Sequence, residues 1–120
     1  MPIVTFHLVE GQYSIERIHG LLTDASAMLA RVQGCKPDHV RAFVRLYQPE
    51  LVAVGGDLVS RTGRRAPYFE FTMPAGGPAR QRRVLLAGFT DLLVDILGAP
   101  REAIRGRAVP VDPNDWTGCR

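Results

Sequence analysis

The residue with the most chemistry to offer is Pro2, directly behind Met1. Removal of that methionine would turn the Pro2 nitrogen from an amide into a secondary amine with a free lone pair. A free α-amine titrates at about 8 in water. The run Ile3-Val4-Thr5-Phe6 behind it supplies apolar walls that disfavour the ammonium form, bringing such a base toward neutrality. The plainer alternative is a proline at a strand edge with no reactivity. His7, His19 and His39 have no metal-ligand spacing among themselves, so neither a metal nor a cofactor is expected. Cys35 and Cys119 form no CxxC pair and read as incidental thiols of a reducing compartment.

Charge narrows the function only slightly. The net charge of +3 over 120 residues is almost all arginine, since Lys36 is the only lysine. That balance suits small anions as well as it suits nucleic acid. The run Arg61-Thr62-Gly63-Arg64-Arg65 has no interleaved aromatics to stack bases and reads as a solvated connector. A nucleic-acid or anion binder built on that run is the most distant reading. With 46% hydrophobic residues the chain can build one core. No apolar run reaches the length of a membrane span, and the first residues lack the pattern of a signal peptide. A cytoplasmic protein with no membrane or nucleic-acid partner is the expectation.

The elements that must position Pro2 follow from periodicity. Alternation from Ile3 to Val9 predicts a strand with Val4, Phe6 and Leu8 on one face. Ser14 is a candidate cap for a helix through Gln33, with Ile15, Ile18, Leu22, Ala25, Leu29 and Val32 as its apolar stripe. Gly34 and Pro37 stop it. Val40–Tyr47 reads as a strand carrying Arg41, Phe43 and Arg45 on one face. Leu51 to Gly56 resembles a hairpin arm. The order then repeats: a strand from Pro67 to Met73, a turn at Gly76-Gly77, and a helix from Pro78 to Leu97 along Leu85, Phe89, Leu92, Leu93 and Ile96. Pro78 is expected in its first turn. A last strand runs from Ile104 to Val111.

An offset of 65 lays Pro2 on Pro67, Phe6 on Phe71 and Gly11 on Gly76. An offset of 64 lays Gly34 on Gly98, Val40-Arg41 on Ile104-Arg105 and Pro49 on Pro113. An ordered series of Pro, Gly, Arg and Pro points to an internal duplication. The expectation is an α+β fold in a single domain of 1–120, with a first β-α-β unit at 1–60, a connector at 61–65 and a second unit at 66–120. Two such units make a four-stranded sheet with both helices on one face. The other face, partly apolar, would need a cover, for which self-association is the simplest source.

Pro2-Ile3-Val4 with Glu10-Gly11, Val40-Arg41-Ala42, the hairpin Val54-Gly55-Gly56, and Pro113-Asn114-Asp115-Trp116-Thr117-Gly118 resemble, in this order, the tautomerase superfamily. The resemblance is closest to its fused members, in which two 4-oxalocrotonate tautomerase units share one chain. It implies a repeat of the hairpin pattern after Pro113, a homotrimer, and an isomerase that interconverts enol and keto forms of a small 2-oxo acid. In that reading Pro2 is the general base, Arg41 and Arg105 bind the substrate carboxylate, and Trp116 closes the pocket. Pro67, being internal, can only be structural.

The departures bear on activity. The arginine that the simplest tautomerases carry after the Glu-Gly turn is Gln12 here, with Arg64, Arg65 and Arg80 as candidate replacements. Pro74, Gly77 and Ser26 stand where the dehalogenase relatives carry their special groups, and Val40 where the decarboxylase has an aspartate. Tautomerisation needs the fewest groups and survives these losses best. The alternative is a non-catalytic binding or assembly protein of the same fold, which Gln12, Val52 and the ending Thr117-Gly118-Cys119-Arg120 would suit.

Overall fold

A computed structural model describes residues 2–118 of the chain. Met1 and the terminal Cys119-Arg120 lie outside the described residues. The first half runs β1 (Ile3–Val9), α1 (Ile15–Gln33), β2 (Arg41–Tyr47) and a small hairpin of β3 (Ala53–Val54) and β4 (Asp57–Leu58). A four-residue helix α2 (Val59–Thr62) follows, so the arginine connector begins inside a helical turn anchored by buried Val59. The second half runs β5 (Tyr68–Pro74), α3 (Ala79–Leu97) and β6 (Arg105–Val111).

The four long strands form one sheet in the order β2-β1-β5-β6. Each half contributes a parallel pair, and the halves meet at an antiparallel centre. There Val4 faces Phe71 and Phe6 faces Phe69. Exchanging the halves at the offset of 65 converts one of these pairs into the other, so the two units are related by a pseudo-twofold axis at Thr5 and Glu70. Both helices lie on one face, where Val4, Phe6, Leu8, Phe69, Phe71 and Met73 meet Leu21, Leu29, Leu85, Phe89, Leu93 and Leu97 in one core. Phe89 packs edge-on against Phe6 at 5.8 Å between ring centroids. Each fully buried Leu or Phe contributes about 1.5–3 kcal/mol over its exposed form.

Local chemistry sets the helix ends. Ser14 caps α1 by accepting from the Arg17 amide at 3.3 Å. Pro78 stands at the cap position of α3, one residue before the expected first turn, and offers no side-chain bond. Both helices stop at glycines in the left-handed region, Gly34 at φ 66° and Gly98 at φ 68°. On α1 the deeply buried position is Leu21, with Leu22 only partly covered and Ile15 55% exposed. Ile18, Ala25 and Leu29 of the expected stripe are buried, while Leu21 and Ala30 join them because α1 packs against both the sheet and α3.

The two halves are packed differently at one point. Gly106 of β6 lies opposite Phe69, and a side-chain carbon built on it would fall 2.2 Å from the Phe69 ring. The equivalent position in β2 is Ala42, whose strand partner is the smaller Val4. Phe with Gly fills the space that Val with Ala fills on the other side.

The sheet face away from the helices is mixed, with Phe43 53% exposed beside polar groups. On it His7 Nδ1 bonds Tyr47 Oη at 2.6 Å, and Tyr68 Oη donates to Glu70 Oε2 at 3.1 Å. Arg107 lies 3.7 Å from Glu70, and the His7 ring packs between Tyr47 and Tyr68. Among the described residues no helix is long and apolar enough to cross a membrane.

Candidate active site at Pro2

Pro2 is buried at the start of β1, and its carbonyl accepts from the Arg41 amide at 2.8 Å. That bond extends the parallel β1–β2 ladder by one residue and sets the root of the Arg41 side chain beside Pro2. Arg41 is further fixed by its own guanidinium, which donates to the Asp38 carbonyl at 2.7 Å and the Val40 carbonyl at 3.2 Å. Those carbonyls belong to the 3-10 turn Pro37–His39 and the residue after it, which Pro37 starts in place of a longer helix. The same turn delivers His39 to the site.

Trp116 arrives from the far end of the chain. The 3-10 turn Pro113–Asp115 is closed by the Asp112 side chain, which accepts from the Asn114 amide at 2.9 Å, and leaves Trp116 in extended backbone. The hairpin expected to repeat after Pro113 is absent among the described residues. The arm Ala53–Val54 turns back through Gly55 and Gly56, both at positive φ, whereas Trp116–Gly118 pairs with no strand.

Pro2, Ile3, His39, Arg41, Asp115, Trp116, Thr117 and Gly118 line one cavity of about 560 Å³. Three of the four expected site residues therefore come together within one chain. Arg105 does not join them. It lines a second cavity of about 320 Å³ with Pro67, Tyr68, Ala66, Ala103 and the hairpin residues 53–55. None of Arg64, Arg65 and Arg80 lines the Pro2 cavity. Gln12, at the place of the missing arginine, donates to the Arg64 carbonyl at 2.9 Å, and Arg65 stacks over Tyr13 at 5.3 Å. Sequence reasoning weighed His39 only as a metal ligand and passed over Asp115. Their positions, two residues before Arg41 and one before Trp116, are the signal that would have found them.

The cavity joins a buried proline, one guanidinium, one carboxylate, an imidazole and an indole. Within a frame of paired β-α-β units, that set can hold a small anionic molecule against an apolar wall. Residues 67–106 match the family described as "Tautomerase enzyme". The structure named native Ps01740 superposes with a TM-score of 0.88 at 18% identity, covering 98% of this chain and 100% of the other. A fused 4-OT solved as a symmetric trimer gives 0.83 at 19% identity over 96% and 89%. Pt0534 inactivated by 2-oxo-3-pentynoate gives 0.85 at 20% identity over 95% and 89%. No curated protein matches the chain in sequence. The second half of the chain thus matches the tautomerase family, and the whole chain has the fold of the solved fused 4-OT structures.

Proposed function

We propose that the protein is a cofactor-free enol–keto tautomerase acting on a small 2-oxo acid, with Pro2 as general base. The observation that carries this reading is that Pro2, Arg41 and Trp116 line one cavity, with Pro2 buried. Freed of Met1, the Pro2 nitrogen takes the enol proton and delivers it to the neighbouring carbon, so the proton is conserved and the nitrogen regenerated. Burial disfavours its ammonium form and keeps it available as a base. Arg41 binds the carboxylate and offsets charge growing on the 2-oxo oxygen. Trp116 covers the hydrocarbon end and excludes water. The likeness to Pt0534, which 2-oxo-3-pentynoate inactivates, supports a 2-oxo acid.

The lining also favours one kind of 2-oxo acid. Arg41 and Asp115 nearly cancel in charge, so a second carboxylate on the substrate would meet Asp115 without a further arginine. An arylenolpyruvate, with one carboxylate and a ring for Trp116, fits better than a dicarboxylate dienol. The solved trimers of fused 4-OT support a homotrimer here. One observation favours a non-catalytic member of the same fold: Gln12 stands at the place of an arginine, and its side chain donates to the Arg64 carbonyl.

Ultraviolet assays with phenylenolpyruvate and 2-hydroxymuconate separate the two. Wild type should ketonise phenylenolpyruvate faster, while Pro2→Ala and a form retaining Met1 lose most turnover and keep their fold. Arg41→Ala should raise KM as well as lower kcat, because a carboxylate clamp acts on both ground and transition states. Equal rates for wild type, Pro2→Ala and the Met1-retaining form would promote the non-catalytic reading.

A further inference from the structure

We infer that the cavity beside Pro67 is a second, non-catalytic site for a small monocarboxylate anion. Its backbone copies that of the Pro2 cavity. The Pro67 carbonyl accepts from the Arg105 amide at 3.1 Å, as that of Pro2 does from Arg41. Arg105 Nη1 donates to the carbonyls of Glu102 at 2.8 Å and Ile104 at 3.0 Å, the same pair of bonds that fixes Arg41. One edge of each guanidinium is thus spent on the preceding turn, and the planar fork is held in a defined direction.

The charge differs from that at Pro2. No acidic side chain lines the Pro67 cavity, whereas Asp115 lines the other. A second cation stands near it: a side-chain carbon built on Gly55, which lines the cavity, would lie 3.8 Å from Arg64 Nη1. Gln12 holds the Arg64 backbone in that place, and Gly63 at φ 66° turns the chain toward it. Two arginines from different segments, with buried Pro67 as an apolar floor, suit a carboxylate on a short hydrocarbon body. The Pro67 nitrogen is in a peptide bond, its lone pair delocalised into the Ala66 carbonyl and unable to act as a base, so binding here leads to no reaction. The ligand class is the one proposed for Pro2, yet the inference stands whether or not Pro2 is catalytic.

The test is a titration of the ¹⁵N-labelled full chain in its native assembly with trans-cinnamate, followed by amide shifts. Two sets should move independently, one at Ile3, Arg41 and Thr117 and one at Val54, Gly55 and Tyr68, the second with a dissociation constant on the order of 1 mM. Arg64→Met, on an exposed segment, should weaken the second set at least about threefold and leave the first in place. The neutral trans-cinnamamide should leave the second set unmoved in wild type. No movement at Gly55 and Tyr68 when the first set is saturated would overturn the proposal, as would equal movement with the amide. Failure of catalysis at Pro2 would be read separately, from the turnover assays.

Discussion

The Pro2 and Pro67 cavities are built from one plan and differ in what the chain does at their mouths. Each has a buried proline, a parallel strand pair, a 3-10 turn and an arginine clamped to that turn. At Pro2 the wall is Asp115, Trp116 and Thr117, from a segment that pairs with no strand among the described residues. At Pro67 it is Ala53, Val54 and Gly55 from a closed hairpin, with about 320 Å³ against about 560 Å³. The two halves share the frame, which the common core enforces, and differ in their walls. The one difference the walls did not make is covalent: the Pro67 nitrogen is held in a peptide bond with Ala66, whereas the proposed function needs the Pro2 nitrogen freed of Met1.

The sharpest way to break the comparison is to make Pro2 like Pro67. An N-terminal extension that keeps the Pro2 nitrogen acylated should lower kcat by about 10²–10⁴-fold, the range that a lost general base commands, with an unchanged melting midpoint. Turnover surviving within about threefold would mean that the two prolines are equivalent and the catalytic reading wrong.

Packing offers the next test. Gly106→Ala drives a carbon into the Phe69 ring and should cost about 1–3 kcal/mol in urea unfolding. Combining it with Phe69→Leu should recover part of that loss, since the space at Ala42 is already shared with Val4. Additive losses in the pair would show that Phe69 and Gly106 are not matched in volume.

Charge at the walls gives a smaller effect. Asp115→Asn should raise kcat/KM for 2-hydroxymuconate relative to phenylenolpyruvate by up to about tenfold, because it removes the carboxylate that a second substrate carboxylate would meet. An unchanged ratio would detach Asp115 from substrate choice.

The smallest effect lies on the open sheet face. Partial burial, followed by donation to Glu70, holds the Tyr68 phenol above its ordinary value of 10.0. A phenol whose folded pKa is raised stabilises the fold below the unfolded value, and that contribution is lost as pH rises through the folded one. Wild type should therefore lose stability as pH rises above about 10 more steeply than Tyr68→Phe, as read by thermal melting. Tyr13, raised mainly by burial with Arg65 pulling the other way, contributes to both proteins alike.

Period and punctuation made the repeated fold legible in the sequence. Alternation at Val4, Phe6 and Leu8, the stops at Gly34 and Gly98, and the ordered matches Pro2/Pro67 and Arg41/Arg105 depend on local backbone geometry, which residue types report directly. They named Pro2, Arg41 and Trp116 as well, because a resemblance of motif order is also a local record. Tertiary structure decided which of these residues meet. Arg41 and Arg105 are indistinguishable along the chain, and only the order β2-β1-β5-β6 sends one to Pro2 and the other to Pro67. His39 and Asp115 enter the site through packing between segments far apart in sequence, for which no local periodicity exists. The chain order of residue types thus set the elements and the nitrogen proposed as base, whereas the charge around that nitrogen depended on distances that only the folded chain brings into being.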